Sequence, residues 1–252
     1  MSGHSKWSTI KHGKAATDAR RGQLFTKLAK EIIVAVKQGG EDPDMNTRLR
    51  MAVQKARDSN MPSDNIGRAI KRGSGAGAGQ DQMAEVVYEG YGPGGTAILL
   101  QALTDNRNRT VSEVRSTLSK IGGNLAEAGA VAWQFQQKGV VAVDAGPEEA
   151  EKLELAAIDA GADELETFDS TLQIYSAPES LESIRTALEE QGATITSSEL
   201  LMVPTNTVEL DAKMALRTLR LLDRLEELDD IQRVYSNADY PDEAFEQYRN
   251  EE

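Results

Sequence analysis

The first thirty residues concentrate cationic side chains around one tryptophan. Seven Lys and Arg residues stand there against a single acid, Asp18. Such a segment can neutralise nucleic-acid phosphates and release their counterions, while an indole can stack on a base or anchor the segment to the rest of the protein. The alternative is a basic tail that only aids solubility, with a tryptophan that packs. The residues predicted to contact nucleic acid are Lys6, Trp7, Lys11, His12, Lys14, Arg20, Arg21, Lys27 and Lys30.

A glycine-rich motif invites a second interpretation, dinucleotide binding. Gly90, Gly92 and Gly95 satisfy the G-x-G-x-x-G spacing directly after a predicted strand. That motif needs a helix next, because the helix N-terminus holds the pyrophosphate. Residues 96–100 are strand-like instead, and Pro93 lies inside the loop. A glycine-rich hairpin or surface loop is therefore favoured.

Few residues are available for enzymatic chemistry. The chain has no cysteine, and both histidines lie within the first twelve residues. Paired glutamates, such as Glu148-Glu149, Glu189-Glu190 and Glu226-Glu227, could serve as acid and base, but in helical stretches such runs are usually solvated faces. Tyr175 on a predicted central strand resembles an RNA-stacking aromatic, yet a core or sheet-face role is favoured because no aromatic-rich neighbour accompanies it. We predict no enzyme, no catalytic residue, no metal and no cofactor.

Charge divides the chain into two unlike parts. Residues 1–75 carry eight Lys and seven Arg against seven acids, a net charge of +8, whereas residues 76–252 carry −21 of the total of −13. The basic part favours a nucleic-acid partner, and the acidic remainder would confine that partner to one face. The longest apolar runs, such as residues 32–36, are far short of the roughly 20 residues of a membrane span. No apolar run of the kind found in signal peptides follows the first residues, so no signal peptide is predicted. A cytoplasmic protein without a membrane partner is expected.

The basic part has the periodicity of three short helices. Phe25, Leu28, Ile32 and Val36 form one apolar stripe that ends at Gly39-Gly40. A second helix begins at about Thr47, and a third follows Pro62 and ends at Gly73.

Beyond a glycine-rich linker at 73–79, the pattern becomes mixed α/β. Strands are predicted at 84–89, 97–103 and 131–137, with a helix at about 108–121. A following block has the order strand 139–144, helix 147–160, strands 164–168 and 171–176, helix 179–190, strand 194–203, which is the ferredoxin-like βαββαβ unit. A last helix, 211–228, and strand, 231–236, cannot form a domain alone and are expected to complete the first sheet.

The predicted fold class is therefore α+β and multidomain. An N-terminal helical bundle precedes two α/β sandwich domains, the last of which is inserted in the middle one. The predicted boundaries are 1–78 for the basic domain, 79–137 plus 204–240 for the middle domain, 138–203 for the inserted domain and 241–252 for an acidic, partly frayed tail.

Several motifs in this order resemble the YebC/PmpR family, which includes a mitochondrial translational activator of cytochrome c oxidase subunit I. They begin with Gly3-His4-Ser5-Lys6-Trp7 and continue through Arg21-Gly22, Phe25-Thr26-Lys27, Asn60-Met61-Pro62, Asp64-Asn65-Ile66 and Arg68-Ala69-Ile70, then residues 88–95, residues 105–110 and Val234-Tyr235. The resemblance spans roughly residues 2–237. Three positions depart from the family pattern: Gly13, which removes one basic group, and Leu118 and Ala126, which bear on packing.

The resemblance implies three domains, with the last inserted in the middle one, and no catalytic activity. It implies either DNA-binding transcriptional regulation or ribosome-associated translation through difficult sequences such as proline runs. We favour a ribosome-associated, RNA-binding factor that acts as a monomer, because no recognition helix for the DNA major groove is evident. The rivals are a DNA-binding transcriptional regulator, a protein-interaction scaffold whose basic domain only confers solubility, and an enzyme using acidic residues of the middle domain.

Overall fold

Within residues 18–75, three helices make up the N-terminal unit, as their apolar spacing predicts. The computed structural model describes residues 18–75, 83–168 and 170–250. The helices are α1 (Asp18–Gly39), α2 (Thr47–Asp58) and α3 (Ser63–Gly73). Their shared core includes the buried Ile32, Ile33, Leu49, Val53 and Ile66.

Asn46 ties two of these helices together. Its side-chain oxygen accepts from the Leu49 amide at 3.0 Å and caps α2. Its amide nitrogen donates to the carbonyls of Ala35, at 2.7 Å, and Gly40, at 2.8 Å. One buried side chain thereby satisfies both the end of α1 and the start of α2.

The middle domain combines an antiparallel sheet with three helices. Its elements are β1 (Ala84–Tyr91), β2 (Ala97–Thr104), α4 (Arg107–Ile121), β3 (Asn124–Leu125), α7 (Ala212–Glu226), β9 (Ile231–Ser236) and α8 (Asp242–Asn250), with a parallel pair β8 (Val208–Glu209) and β10 (Ala238–Asp239). The four strands of the sheet have the order β3-β1-β2-β9, and the three helices contribute to the core on one face of it.

Alternate residues of β2 are buried on both faces of the sheet. Ile98 and Leu100 face the helices, whereas Ala97 and Leu99 pack with Val131, Phe135 and Tyr235.

The inserted domain has the predicted βαββαβ order. The elements are β4 (Phe135–Asp144), α5 (Pro147–Asp159), β5 (Ala162–Phe168), β6 (Thr171–Ser176), α6 (Leu181–Glu190) and β7 (Thr194–Pro204). The strands form an antiparallel sheet in the order β5-β6-β4-β7, which packs on the two helices through residues such as Leu153, Ile174 and Ile184. The predicted fold class is confirmed.

The separate strands predicted at 131–137 and 139–144 are wrong. Residues Ala132–Gln134 form a 3-10 turn, and β4 then runs unbroken from Phe135 to Asp144. Gly139 lies inside this strand. A Cβ at this position would approach the Ser176 side chain to 2.8 Å and the Leu181 side chain to 2.9 Å, which explains why the residue is a glycine. The glycine therefore permits close packing and does not end a strand.

The acidic end is also different from its prediction as a frayed tail. Residues 242–250 form α8, and Ala244, Phe245 and Tyr248 are buried in the core of the middle domain. The Phe245 ring meets Tyr240 edge-on, with centroids 5.3 Å apart. The apolar stripe of α8 is narrow and lies among acids, so its periodicity in the sequence is weak.

The glycine-rich segment is a hairpin, as expected. β1 and β2 pair from Ala84 with Thr104 to Tyr91 with Ala97, and a 3-10 turn at Pro93–Gly95 joins them. No helix follows, so the geometry that holds a pyrophosphate is not formed there. Tyr175 is buried, as expected for a core tyrosine, and its hydroxyl hydrogen-bonds Glu166 and Gln173 at 2.9 Å.

Candidate nucleic-acid interface

The nine predicted contact residues divide into three groups. Lys6, Trp7, Lys11, His12 and Lys14 lie outside the described residues, and Arg20 is described only as part of helix α1. Arg21 is exposed in the first turns of that helix. Lys27 and Lys30, on the same helix, are half-buried against the middle domain.

Lys27 and Lys30 meet the C-terminal end of α7. The Lys27 ammonium donates to the Glu226 carbonyl at 2.6 Å, and Lys30 donates to the Asp229 carbonyl at 2.8 Å. Gln23 adds a bond of 3.2 Å to the Glu227 carbonyl. The last carbonyls of a helix lack partners within it and carry partial negative charge, so two ammonium groups stabilise this end. Both lysines thus have acceptors within the molecule.

Asp230 is the charged centre of the same contact. Its buried carboxylate accepts from the Lys30 ammonium, from Thr110 Oγ1 at 2.6 Å and from Arg109 Nη2 at 2.7 Å. Thr104 Oγ1 donates to the same oxygen as Thr110, at 3.1 Å. Burial alone would raise the pKa of this carboxyl, but the hydrogen bonds from Lys30, Thr110 and Arg109 outweigh it and lower the pKa to about 2.

A second contact joins all three domains through Glu199. One carboxylate oxygen of this β7 residue accepts from Lys55 of α2 at 2.7 Å, and the other from Arg233 of β9 at 2.5 Å. Burial acts to raise the pKa of Glu199, but the charges of Arg233 and Lys55 lower it overall. Arg48 of α2 similarly pairs with Glu85 of β1. The basic domain is therefore attached to the acidic domains through complementary charges.

Other cations of the helical domain remain directed to solvent. Lys37, Arg57 and Lys71 are exposed, and none of them has an ion pair with a carboxylate among the residues that the structure describes. Arg68 is also exposed, and its guanidinium bonds Asn65 and the Asp64 carbonyl of its own helix. These residues were not among the predicted contacts. Their regular alternation with the apolar stripes of α1, α2 and α3 is the sequence signal that identifies an exposed basic face.

The remaining chemistry is limited. Within 18–75, 83–168 and 170–250, no group of three or more His, Asp or Glu residues could hold a metal ion. No helix in those ranges combines the length and apolar character required to cross a bilayer. The exposed cations can form ion pairs and hydrogen bonds with phosphate, which is a binding function and needs no reactive group.

The comparisons with known proteins cover nearly the whole chain. The family model described as TACO1/YebC protein N-terminal domain matches residues 5–76, and the model described as TACO1/YebC second and third domain matches residues 83–238. A protein of Dehalococcoides mccartyi, named a probable transcriptional regulatory protein, is 57% identical over 251 residues and is covered completely, as is this chain. A protein of the same name from Halothermothrix orenii is 51% identical over 254 residues, with 100% of both chains covered.

A solved structure has the same architecture. The crystal structure of a conserved hypothetical protein from Aquifex aeolicus matches with a TM-score of 0.84 and 45% sequence identity, over 94% of this chain and 97% of that one. The fold, both family models and the full-length relatives agree, and the chain belongs to the TACO1/YebC family.

Proposed function

We propose that this protein is a nucleic-acid-binding regulator of gene expression that acts, as a cytoplasmic monomer, on the ribosome. In this role it helps synthesis through difficult sequences such as proline runs. The observation that carries the proposal is the separation of a +8 segment, residues 1–75, from a remainder of −21. Cations that are not paired with the acidic domains are available to phosphate, and the acidic domains limit where the nucleic acid can lie.

The proposed contact surface follows from the ion pairs. Lys27, Lys30, Arg48 and Lys55 hold the helical domain against the other two domains. Phosphate contacts are therefore assigned to the other predicted residues and to the exposed cations of the three helices. The first group is Lys6, Trp7, Lys11, His12, Lys14, Arg20 and Arg21, and the second is Lys37, Arg57, Arg68 and Lys71.

A transcriptional regulator is the second candidate. The relatives from Dehalococcoides and Halothermothrix carry that name, and α2 and α3 are joined by only four residues, 59–62, as in helix-turn-helix motifs. In such motifs the N-terminal residues of the second helix contact base edges. Here the first turn of α3 carries Asp64, and the cations Arg68 and Lys71 come later. That order favours backbone contact over base readout, and hence the ribosomal proposal.

The decisive experiment removes four cations together. In Lys11→Ala/Lys14→Ala/Arg20→Ala/Arg21→Ala we expect loss of ribosome co-sedimentation and slower translation of proline-run reporters, with promoter-only reporters unchanged. A matched control, Arg115→Ala/Lys120→Ala/Lys152→Ala/Lys213→Ala, removes the same charge from exposed sites of the α/β domains and should keep ribosome binding. Altered messenger levels and promoter occupancy with intact ribosome profiles would instead support the transcriptional candidate.

Salt dependence tests the electrostatic basis of the proposal. If about five phosphates are neutralised, the slope of log K against log salt should be about −3.5 to −4.5. The quadruple variant should have a clearly shallower slope than its control. Full affinity in isolated residues 80–252 would contradict the assignment of binding to the basic segment.

A further inference from the structure

Trp133 projects from the middle domain although the residues two positions before and after it are buried. Its side chain is 71% exposed, whereas Val131 is fully buried and Phe135 is 7% exposed. Among the large exposed hydrophobic side chains of the described residues it is the one aromatic. A partner that covers this indole would remove apolar surface from water, which is favourable.

The loop that carries Trp133 is held by a buried carboxylate. Glu89 of β1 accepts from three backbone amides of this loop, those of Gly129 at 2.6 Å, Val131 at 2.7 Å and Ala132 at 2.8 Å. Burial would raise the pKa of Glu89, but these three hydrogen bonds lower it below its ordinary value. A buried charge with three amide donors fixes the loop backbone and so sets the position of the indole.

The loop is also fixed on its far side. Gln134, the residue after the tryptophan, accepts through its carbonyl from the Thr205 amide at 2.8 Å. Its side-chain oxygen accepts from Asn237 Nδ2 at 3.0 Å. The exposed side chain therefore stands on a preorganised loop, and binding a partner costs little further ordering of the backbone.

Only the faces of the indole are free to bind. The Trp133 Nε1–H donates to the Ala130 carbonyl at 3.1 Å, and the Tyr91 hydroxyl donates to the same oxygen at 3.4 Å. Because the ring nitrogen already has an acceptor, the indole offers its π surface and no hydrogen-bond donor. Such a surface can stack on any nucleic-acid base, because stacking does not depend on the hydrogen-bonding groups at the edge of the base.

The charge around this platform differs from that of the acidic domains as a whole. Residues 126–143 contain one acid, Glu127, and one base, Lys138, and residues 200–207, some of which pair with this strand, contain no charge. Together with the buried carboxylate of Glu89, these segments carry two acids and one base, so a polyanion meets less repulsion here than the net −21 of residues 76–252 implies. The exposed residues just before the tryptophan, Glu127, Ala128 and Gly129, are small or polar, whereas the half-buried Leu201 and Met202 pack on the same small core as Val131.

We propose that Trp133 is a stacking platform for an unpaired base of single-stranded RNA, positioned by Glu89. This rests on the proposed function, because the phosphate contacts of the helical domain supply most of the affinity. The stacked base adds a preference for single strands over duplex, whose bases are already stacked. Trp133 contacts the base, and Glu89 acts through the loop.

The test compares two labelled RNAs, a 12-nucleotide oligouridine and a 12-base-pair duplex, by fluorescence anisotropy with the full chain. Trp133→Ala should raise the Kd for oligouridine by about 5- to 150-fold, the range measured for loss of one base–aromatic stack, and should leave duplex binding unchanged. Trp133→Phe should restore most of the affinity. The matched control is Leu155→Ala, an exposed apolar residue of α5 in the inserted domain, and it should bind both RNAs like the unaltered protein.

A spectroscopic readout identifies the contact directly. In a Trp7→Phe background Trp133 is the one remaining tryptophan, and oligouridine should quench its emission whereas the duplex should not. Unchanged emission and unchanged oligouridine affinity in Trp133→Ala would overturn the platform but leave the proposed function standing. Quenching by an octaproline peptide and not by RNA would overturn it in favour of a peptide partner. A full chain that binds neither RNA would contradict the proposed function itself.

Discussion

Asp230 shows how one buried carboxylate can hold two domains together. Its oxygens take hydrogen bonds from Lys30 of the helical domain and from Arg109, Thr104 and Thr110 of the middle domain. The pKa of its carboxyl, about 2, lies below the ordinary 3.8, so the unfolded chain takes up a proton first as the pH falls. The stabilisation is complete above about pH 4 and is lost as the pH falls toward 2, and it amounts to roughly 2 kcal/mol.

The corresponding prediction concerns Asp230→Asn. At pH 7 this variant should unfold more easily by about 3 kcal/mol, because Lys30 and Arg109 lose a charged partner at a buried site. Between pH 5 and pH 2 it should lose less stability than the unaltered protein, since the titrating group is gone. Urea denaturation followed by circular dichroism measures both effects. Asp229→Asn, at the exposed neighbour, is the control and should change stability by less than about 0.5 kcal/mol.

At the scale of elements, α1 packs across the end of α7. The two lysines of α1 supply positive charge where the helix dipole of α7 is negative, and Gln23 extends the contact by one further carbonyl. The basic stripe of α1 therefore has a structural role as well as the proposed binding role of its first turns. This divides the helix by function along its length.

Removing both lysines should loosen the helical domain. The chain has no native cysteine, so spin labels placed at Ser63→Cys in α3 and Ser112→Cys in α4 report one distance between the two domains. In Lys27→Ala/Lys30→Ala we expect the distance distribution to broaden, because two carbonyl partners and the Asp230 ion pair are lost. Lys37→Ala/Lys71→Ala removes the same charge from solvent-directed positions and should leave the distribution narrow. Equal distributions in the two variants would contradict this structural role.

At the scale of the whole molecule, two strands connect the inserted and middle domains. Phe135, at one end of β4, packs in the middle domain, whereas Val141 and Val143 lie in the core of the inserted domain. β7 pairs with β4 along its full length, from Phe135 with Pro204 to Asp144 with Thr194. The predicted boundary at 137/138 therefore cuts through a continuous two-stranded ribbon.

The register indicates where the insertion can be removed. Lys138 pairs with Leu201, so replacing residues 139–200 by Asn-Gly should close the ribbon as a two-residue hairpin. We expect the middle domain to stay folded, with reduced stability because the Glu199 contact to Lys55 and Arg233 is lost. Dispersed amide signals from residues 83–138 and 201–250 would support this domain division. A disordered spectrum would show that the middle domain depends on the insertion.

The sequence alone determined most of the secondary structure of this protein, because hydrophobic periodicity and turn residues are local features. The apolar stripes of α1 to α3, the hairpin glycines at residues 90–95 and the βαββαβ order each depend on neighbours within a few residues, and each agrees with the structure. The difference in net charge between residues 1–75 and the remainder also follows from the sequence alone. Periodicity and composition are sufficient where one element's own residues decide its form.

Only the tertiary structure decided which groups face one another. The partners of Lys27 and Lys30 lie about 200 positions away in the chain, and nothing in the spacing of α1 distinguishes a lysine that meets a carbonyl from one that meets solvent. The packing at Gly139 and the exposure of Trp133 likewise depend on residues from other elements, Ser176 and Glu89. Side chains distant in sequence set the local environment at these positions, and a one-dimensional pattern carries no record of such contacts.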